Sequence, residues 1–101
     1  MSEPAYVIAQ IDAKDLARYR AEYGKPVAQL IAQHGGELLV GSAEAETLEG
    51  TWTGNWLVVI RFASREAALG WYESAAYAPL KRARIETLAN AANLVLVPGR
   101  S

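Results

Sequence analysis

The stretch that decides the fold runs from Asn55 to Leu80 and reads NWLVVIRFASREAALGWYESAAYAPL. Its opening, Trp56-Leu57-Val58-Val59-Ile60-Arg61-Phe62, is rich in β-branched and aromatic residues, which suit a pleated, mostly buried strand. Ser64 follows at once, where its hydroxyl can accept from the free N–H groups of a new helix, and Glu66 complements the helix dipole. The pattern predicts a helix over Ser64–Ser74 with Ala67, Ala68, Trp71 and Tyr72 turned inward. A further helix is expected from about Pro79, bringing Leu80, Ala83, Ile85 and Leu88 inward.

Working outward, Ala5 to Asp12 alternates as a strand, with Ala5, Val7, Ala9 and Ile11 on one face. Asp15 is a good N-cap, and Leu16, Tyr19 and Tyr23 follow at helical spacing. Pro26 lacks an N–H, so the helix is expected to kink or restart there, within Gly24-Lys25-Pro26. The second piece aligns Val27, Leu30, Ile31 and His34, and Gly35-Gly36 stops it. A second strand is predicted over Glu37–Val40, bending at Gly41 and resuming near Glu44–Glu49; a separate short hairpin within residues 42–54 is the alternative. Leu94–Val97 is the closing strand, ended by Pro98-Gly99.

The order is β-α-β-β-α-β with the second helical part in two pieces. That defines an α+β, ferredoxin-like fold: a four-stranded antiparallel sheet with helices on one face. Trp56, Val58, Ile60 and Phe62 are expected to meet the helices, and Leu57, Val59 and Arg61 to lie on the open face. Leu57 and Val59 would not stay in water, so the open face is expected to pack on a second subunit, giving a homodimer through its sheet faces.

Composition narrows the partners. Residues 1–101 make one domain, because a chain of this length has no room for a second independent core. A net charge of −1 argues against nucleic-acid binding, and the one basic cluster, Lys81, Arg82 and Arg84, reads as a solvated helix face. With no cysteine there is no disulfide, thiolate nucleophile or thiolate metal site. Met1-Ser2-Glu3-Pro4 has neither the basic region nor the apolar run of a signal peptide, and no apolar stretch is long enough to span a membrane, so a cytoplasmic protein is expected.

Several segments taken together resemble a known family. They are YVIAQID at Tyr6–Asp12, HGGELLV at His34–Val40, LEGTW at Leu48–Trp52 and LVVIRFASREAALGWYESAAYAPLK at Leu57–Lys81. They are similar to the family catalogued as domain of unknown function 1330, within the dimeric α/β-barrel superfamily. Departures fall at Gly41-Ser42-Ala43, where relatives often carry an Arg-Gly-Gly-like turn, and at Ala63, where they often have proline. The resemblance implies a dimer whose two sheets face each other inside a barrel with the helices outside. It implies no reaction: the superfamily includes cofactor-independent monooxygenases, lactone isomerases and haem-dependent enzymes, and a shared fold does not choose among them.

A few side chains could carry chemistry. His34 is the only histidine, a candidate general base or axial haem ligand; the plainer reading is a helix C-terminal residue favoured by the dipole. Tyr6, Tyr19, Tyr23, Tyr72 and Tyr77, with Trp71, suggest an aromatic-lined pocket between helices and sheet; the plainer reading is core, with hydroxyls satisfied at the rim. Arg61 interrupts an apolar strand and would need Asp12, Glu37 or a bound carboxylate as partner. No G-x-S-x-G, phosphate-binding loop or multi-histidine metal set is present. The sequence therefore supports a small-molecule enzyme or binder of a small aromatic or acidic compound, with no metal or obligatory cofactor. His34 or Tyr23 would move protons, Arg61 would pair an anionic group, and Trp71 and Tyr72 would line the wall. The competing reading is a non-catalytic dimeric binding or accessory module whose aromatics are core.

Overall fold

A computed structural model describes residues 3–99. Strands β1 (Ala5–Ala13), β2 (Glu37–Ser42), β3 (Trp56–Phe62) and β4 (Ala89–Pro98) form one antiparallel sheet in the order β2-β3-β1-β4. Helices α1 (Leu16–Tyr19) and α2 (Lys25–Gln33), joined by a π-helical turn over Arg20–Gly24, connect β1 to β2. Helices α3 (Arg65–Tyr72) and α4 (Ala78–Ala83), the latter continuing into a π-helical turn over Arg84–Leu88, connect β3 to β4. This is the ferredoxin-like α+β architecture that the alternating strand and helix signals predict.

Local chemistry sets most boundaries. The Asp15 carboxylate accepts from the Arg18 N–H at 3.1 Å, and the Ser64 hydroxyl accepts from the Ala67 N–H at 3.1 Å. At the end of α2, Gly35 adopts φ 75°, and the Gly36 N–H closes back on the Ile31 carbonyl at 2.9 Å. Around Pro26 the helix continues instead of restarting. The Lys25 N–H reaches the Arg20 carbonyl five residues back, so the extra residue is absorbed as a π turn just before the proline. The inner sheet face follows the sequence alternation: Ala5, Val7, Ala9, Ile11 and Ala13 of β1 are all buried, with Ile60 and Phe62 of β3. Trp71, Tyr19 and Tyr77 complete the most deeply buried set from the helical side.

Three expectations are corrected. Residues 43–55 contain no strand, because Ser42 already pairs with Leu57 at the start of β3 and nothing remains beyond it to pair with. Instead Asn55 closes the loop onto β1, exchanging side-chain bonds with the Ala13 N–H and carbonyl at 2.8 and 3.0 Å. Secondly, β4 begins at Ala89 and not Leu94, since Ala91, Ala92 and Asn93 pair in register with β1 despite weak strand propensity. Thirdly, Arg84 is 3% exposed while Ile85 is 61% exposed, the reverse of the expected placement. Arg84 shares a four-residue spacing with Leu80 and Leu88, and packing along that stripe outweighed its charge.

The other sheet face carries no helix. Pairing sets Val95, Ile8, Val59 and Val40 side by side in one row across all four strands, and Val97, Tyr6, Arg61 and Glu37 in the next. Leu57 and Val59 are half-buried, and Val95 and Leu39 are exposed. Among the described residues no helix is long and apolar enough to cross a membrane.

Candidate functional site: an aromatic-walled cavity under the first helical connection

A cavity of about 330 Å³ lies between the α1–α2 connection and the inner face of the sheet. Its floor is small and aliphatic: Val7, Ala9 and Ile11 of β1, with Val58 and Ile60 of β3. Tyr19, Tyr23, Val27 and Ile31 roof it, and Trp56 and Trp71 also line it. The floor explains the space, because alanine at position 9 leaves volume that a larger side chain would fill. Arg20 and Lys25, both exposed, bring cations to the lining, and the Arg20 guanidinium sits 4.9 Å over the Trp56 ring.

Aromatic rings continue from the cavity wall into the core. Trp71 packs on Tyr77 at a centroid distance of 4.5 Å and on Phe62 at 5.7 Å, while Tyr19 and Tyr23 are 5.0 Å apart. Trp71 keeps its indole N–H buried without an acceptor. A buried donor without an acceptor costs free energy, which makes this group the unsatisfied polar point of an otherwise apolar wall.

Behind this wall Tyr23, Tyr77 and Arg84 form a polar cluster. The Tyr23 and Tyr77 hydroxyls share a short hydrogen bond of 2.5 Å inside the protein, not at its rim. The Arg84 guanidinium lies 5.9 Å from the Tyr23 ring centroid. Burial pushes the Tyr23 phenol well above its usual pKa, with Tyr77 and Tyr19 adding to the rise and Arg84 opposing it. Tyr19 is raised too, chiefly by burial. Burial disfavours the Arg84 charge, but the neighbouring Tyr23 and Tyr77 phenols outweigh that and hold its pKa above the ordinary value. At neutral pH Tyr23 is therefore a neutral phenol beside a cation, a donor and not a base.

The residues singled out from sequence separate in space. Tyr23 and Trp71 line the cavity together. Tyr72 does not; it packs edge-on against Trp71 at 6.0 Å, with the Lys81 ammonium 4.2 Å over its ring. His34 sits at the end of α2, its Nδ1 3.0 Å from the Leu30 carbonyl, outside the cavity lining. Arg61 is exposed on the open sheet face beside Glu37 and Tyr6 in the pairing register, and among the described residues it forms no ion pair. Sequence reasoning placed Arg84 on a solvated face although its four-residue spacing with Leu80 and Leu88 was an available signal, and it grouped Tyr77 with the aromatic candidates without its bond to Tyr23, which spans 54 positions. Among the described residues no group of three or more His, Cys, Asp or Glu side chains could hold a metal ion.

Fold and strand order define a ferredoxin-like α+β protein. The chain belongs to the family described as Domain of unknown function (DUF1330), which matches residues 4–100. Similar solved structures include a protein of unknown function from Rhodopseudomonas palustris, with a TM-score of 0.79 and 12% identity over 100% of this chain and 85% of that one. SnoaB, a cofactor-independent oxygenase from Streptomyces nogalater, superposes with a TM-score of 0.72 and 11% identity over 99% and 96%. A dimeric protein of unknown function and ferredoxin-like fold from Bacteroides fragilis gives 0.65 and 9% over 95% and 96%. No curated protein matches the sequence. At these identities the shared property is the fold.

Proposed function

We propose that the protein binds, and acts on, a compact aromatic molecule held in the cavity under α1 and α2. The observation that carries this reading is a largely apolar cavity walled by Tyr19, Tyr23, Trp56 and Trp71, with a buried indole N–H on the last of these that has no acceptor among the described residues. Its volume stands at the small end of the roughly 300–1,000 Å³ typical of ligand sites, which suits a monocyclic or bicyclic compound. A ligand oxygen would accept from Trp71, and an acidic substituent would meet Arg20 or Lys25. Neutral Tyr23, bonded to Tyr77 beside Arg84, would place positive potential behind the ring and favour negative charge developing on the ligand. Chemistry of this kind needs no resident cofactor, and the fold shared with a cofactor-independent oxygenase supports it by analogy alone. His34, Arg61 and Tyr72 have no part in this assignment.

We also propose that the open sheet face packs on a second copy of the chain. The row Val95–Ile8–Val59–Val40 is apolar throughout, and a fold relative is described as dimeric. The ligand reading is tested by titrating the protein with small hydroxy-aromatic acids while following tryptophan fluorescence, since two of its three tryptophans line the cavity. Saturable quenching that weakens in Val58→Trp, which fills the space, is the expected result; identical titrations in the two proteins would remove the cavity from the account.

A further inference from the structure

Arg84 poses a physical problem that the aromatic cavity does not solve. A guanidinium is seldom buried without a carboxylate, because losing its hydration is expensive. Arg84 is 3% exposed, its Nε has no hydrogen-bond partner, and among the described residues it forms no ion pair. Apolar residues of similar size would fit such a position at least as well, so a stability role is a weak reason for this charge.

The surroundings offer a different reason. Arg84 lines a second hollow, of about 540 Å³, between the π-helical turn Arg84–Leu88 and β4. The polar residues of its lining are Tyr72, Arg84, Asn90 and Asn93, the last with its amide donating to the Gln10 side chain, and among the described residues no carboxylate lines it. Because β4 is at the end of the strand order, paired only with β1, its outer edge leaves backbone groups without a ladder partner along this wall. Lys81, stacked over Tyr72, adds a second cation nearby. A buried cation, an amide side chain and free strand-edge N–H groups in one hollow with no acid among the described lining residues form an anion site in chemical terms.

We propose that this hollow binds a small oxyanion, a carboxylate or a phosphate, with the Arg84 guanidinium as its cation and Asn90 and the β4 edge as neutral donors. The site is separate from the aromatic cavity; Leu94 alone lines both. It therefore stands or falls without the ligand reading above. Arg84 also sits against Tyr23, so an anion here would damp the positive potential behind the cavity wall.

The test is an arginine side-chain NMR titration of the full-length protein, with acetate in one arm, phosphate in the other, and chloride held at matched ionic strength. The Nε–Hε signal of Arg84, assigned by its loss in Arg84→Lys, should shift saturably in at least one arm, and the arm that saturates identifies the oxyanion. Amide shifts across residues 90–95 should follow the same curve and weaken about tenfold in Arg84→Lys, which keeps the charge but loses the fork. An Arg84 signal unmoved by both anions overturns the proposal, as do amide shifts that persist undiminished in Arg84→Met. Should Arg84→Met fail to fold, the wild-type titration still decides, because it needs no variant beyond the assignment.

Discussion

The two helical connections of this molecule cross the same sheet, and each includes a π turn, yet they do opposite things with the space beneath them. The first, α1 through α2, roofs a cavity with Tyr19 and Tyr23 over small and branched residues of β1 and β3. The second, α3 through α4, seats Trp71 and Tyr77 in the core at 1% and 0% exposure, and its π turn carries a buried arginine. The contrast begins in the sequence. Trp71, Tyr72 and Tyr77 bring three large rings to the second connection, while Val27, Ala28 and Ile31 leave the first with short side chains. Hydroxyls of Tyr23 and Tyr77 join the halves. One connection thus supplies most of the packed core and the other roofs a cavity.

The largest expected effect comes from breaking the packed half. Tyr77→Ala should cost about 3–5 kcal/mol, more than Tyr19→Ala in the cavity roof, because open space beside the Tyr19 ring means that fewer contacts are lost there. Urea unfolding of the two variants measures the difference; equal losses would mean the halves are packed alike.

A pH experiment sharpens the same comparison. Tyr19 and Tyr23 have folded-state pKa values raised above the ordinary tyrosine value of about 10. A raised value means that the folded state holds the proton more tightly, so their contribution to stability is complete below about pH 10 and is lost as pH rises through the folded values. Thermal midpoints should therefore fall in alkali, and Tyr19 and Tyr23 should ionise only as the protein unfolds. Tyrosinate absorbance followed together with circular dichroism checks this, and five tyrosines titrating before any loss of structure would refute the buried cluster.

The smallest effect concerns how each connection starts. Ser64→Ala should cost about 1 kcal/mol, because it uncaps the eight-residue α3 that carries Trp71. Asp15→Ala should cost less, since it caps the short and exposed start of α1. Denaturation midpoints that reversed this order would show the first connection to be the more firmly held.

Much of this was legible in the residues. The alternation of Ala5–Asp12, the apolar run Trp56–Phe62 and the caps Asp15 and Ser64 are local signals, and the order of elements along the chain follows from them. Residues 43–55 misled because glutamate alternation resembles a strand, while pairing depends on whether β3 still has a free partner. Arg84 misled because its charge argued for solvent and its spacing argued for the core; only the packed structure shows that spacing prevailed. Tyr23 and Trp71 were identifiable as aromatic candidates, but their meeting at one cavity, with the Tyr77 hydroxyl behind, joins elements far apart in the chain. His34 and Arg61 drew notice as chemically distinctive residues, and the geometry assigns neither to that cavity.

The most direct measurement is a crystal structure of the protein soaked with a mixture of small hydroxy-aromatic acids. The account predicts ligand density over Val7 and Ala9, an oxygen within hydrogen-bonding reach of the Trp71 indole nitrogen, and an acidic group directed toward Arg20 or Lys25. A cavity that stays empty at saturating ligand, or ligand density confined to the open sheet face near Arg61, would contradict it.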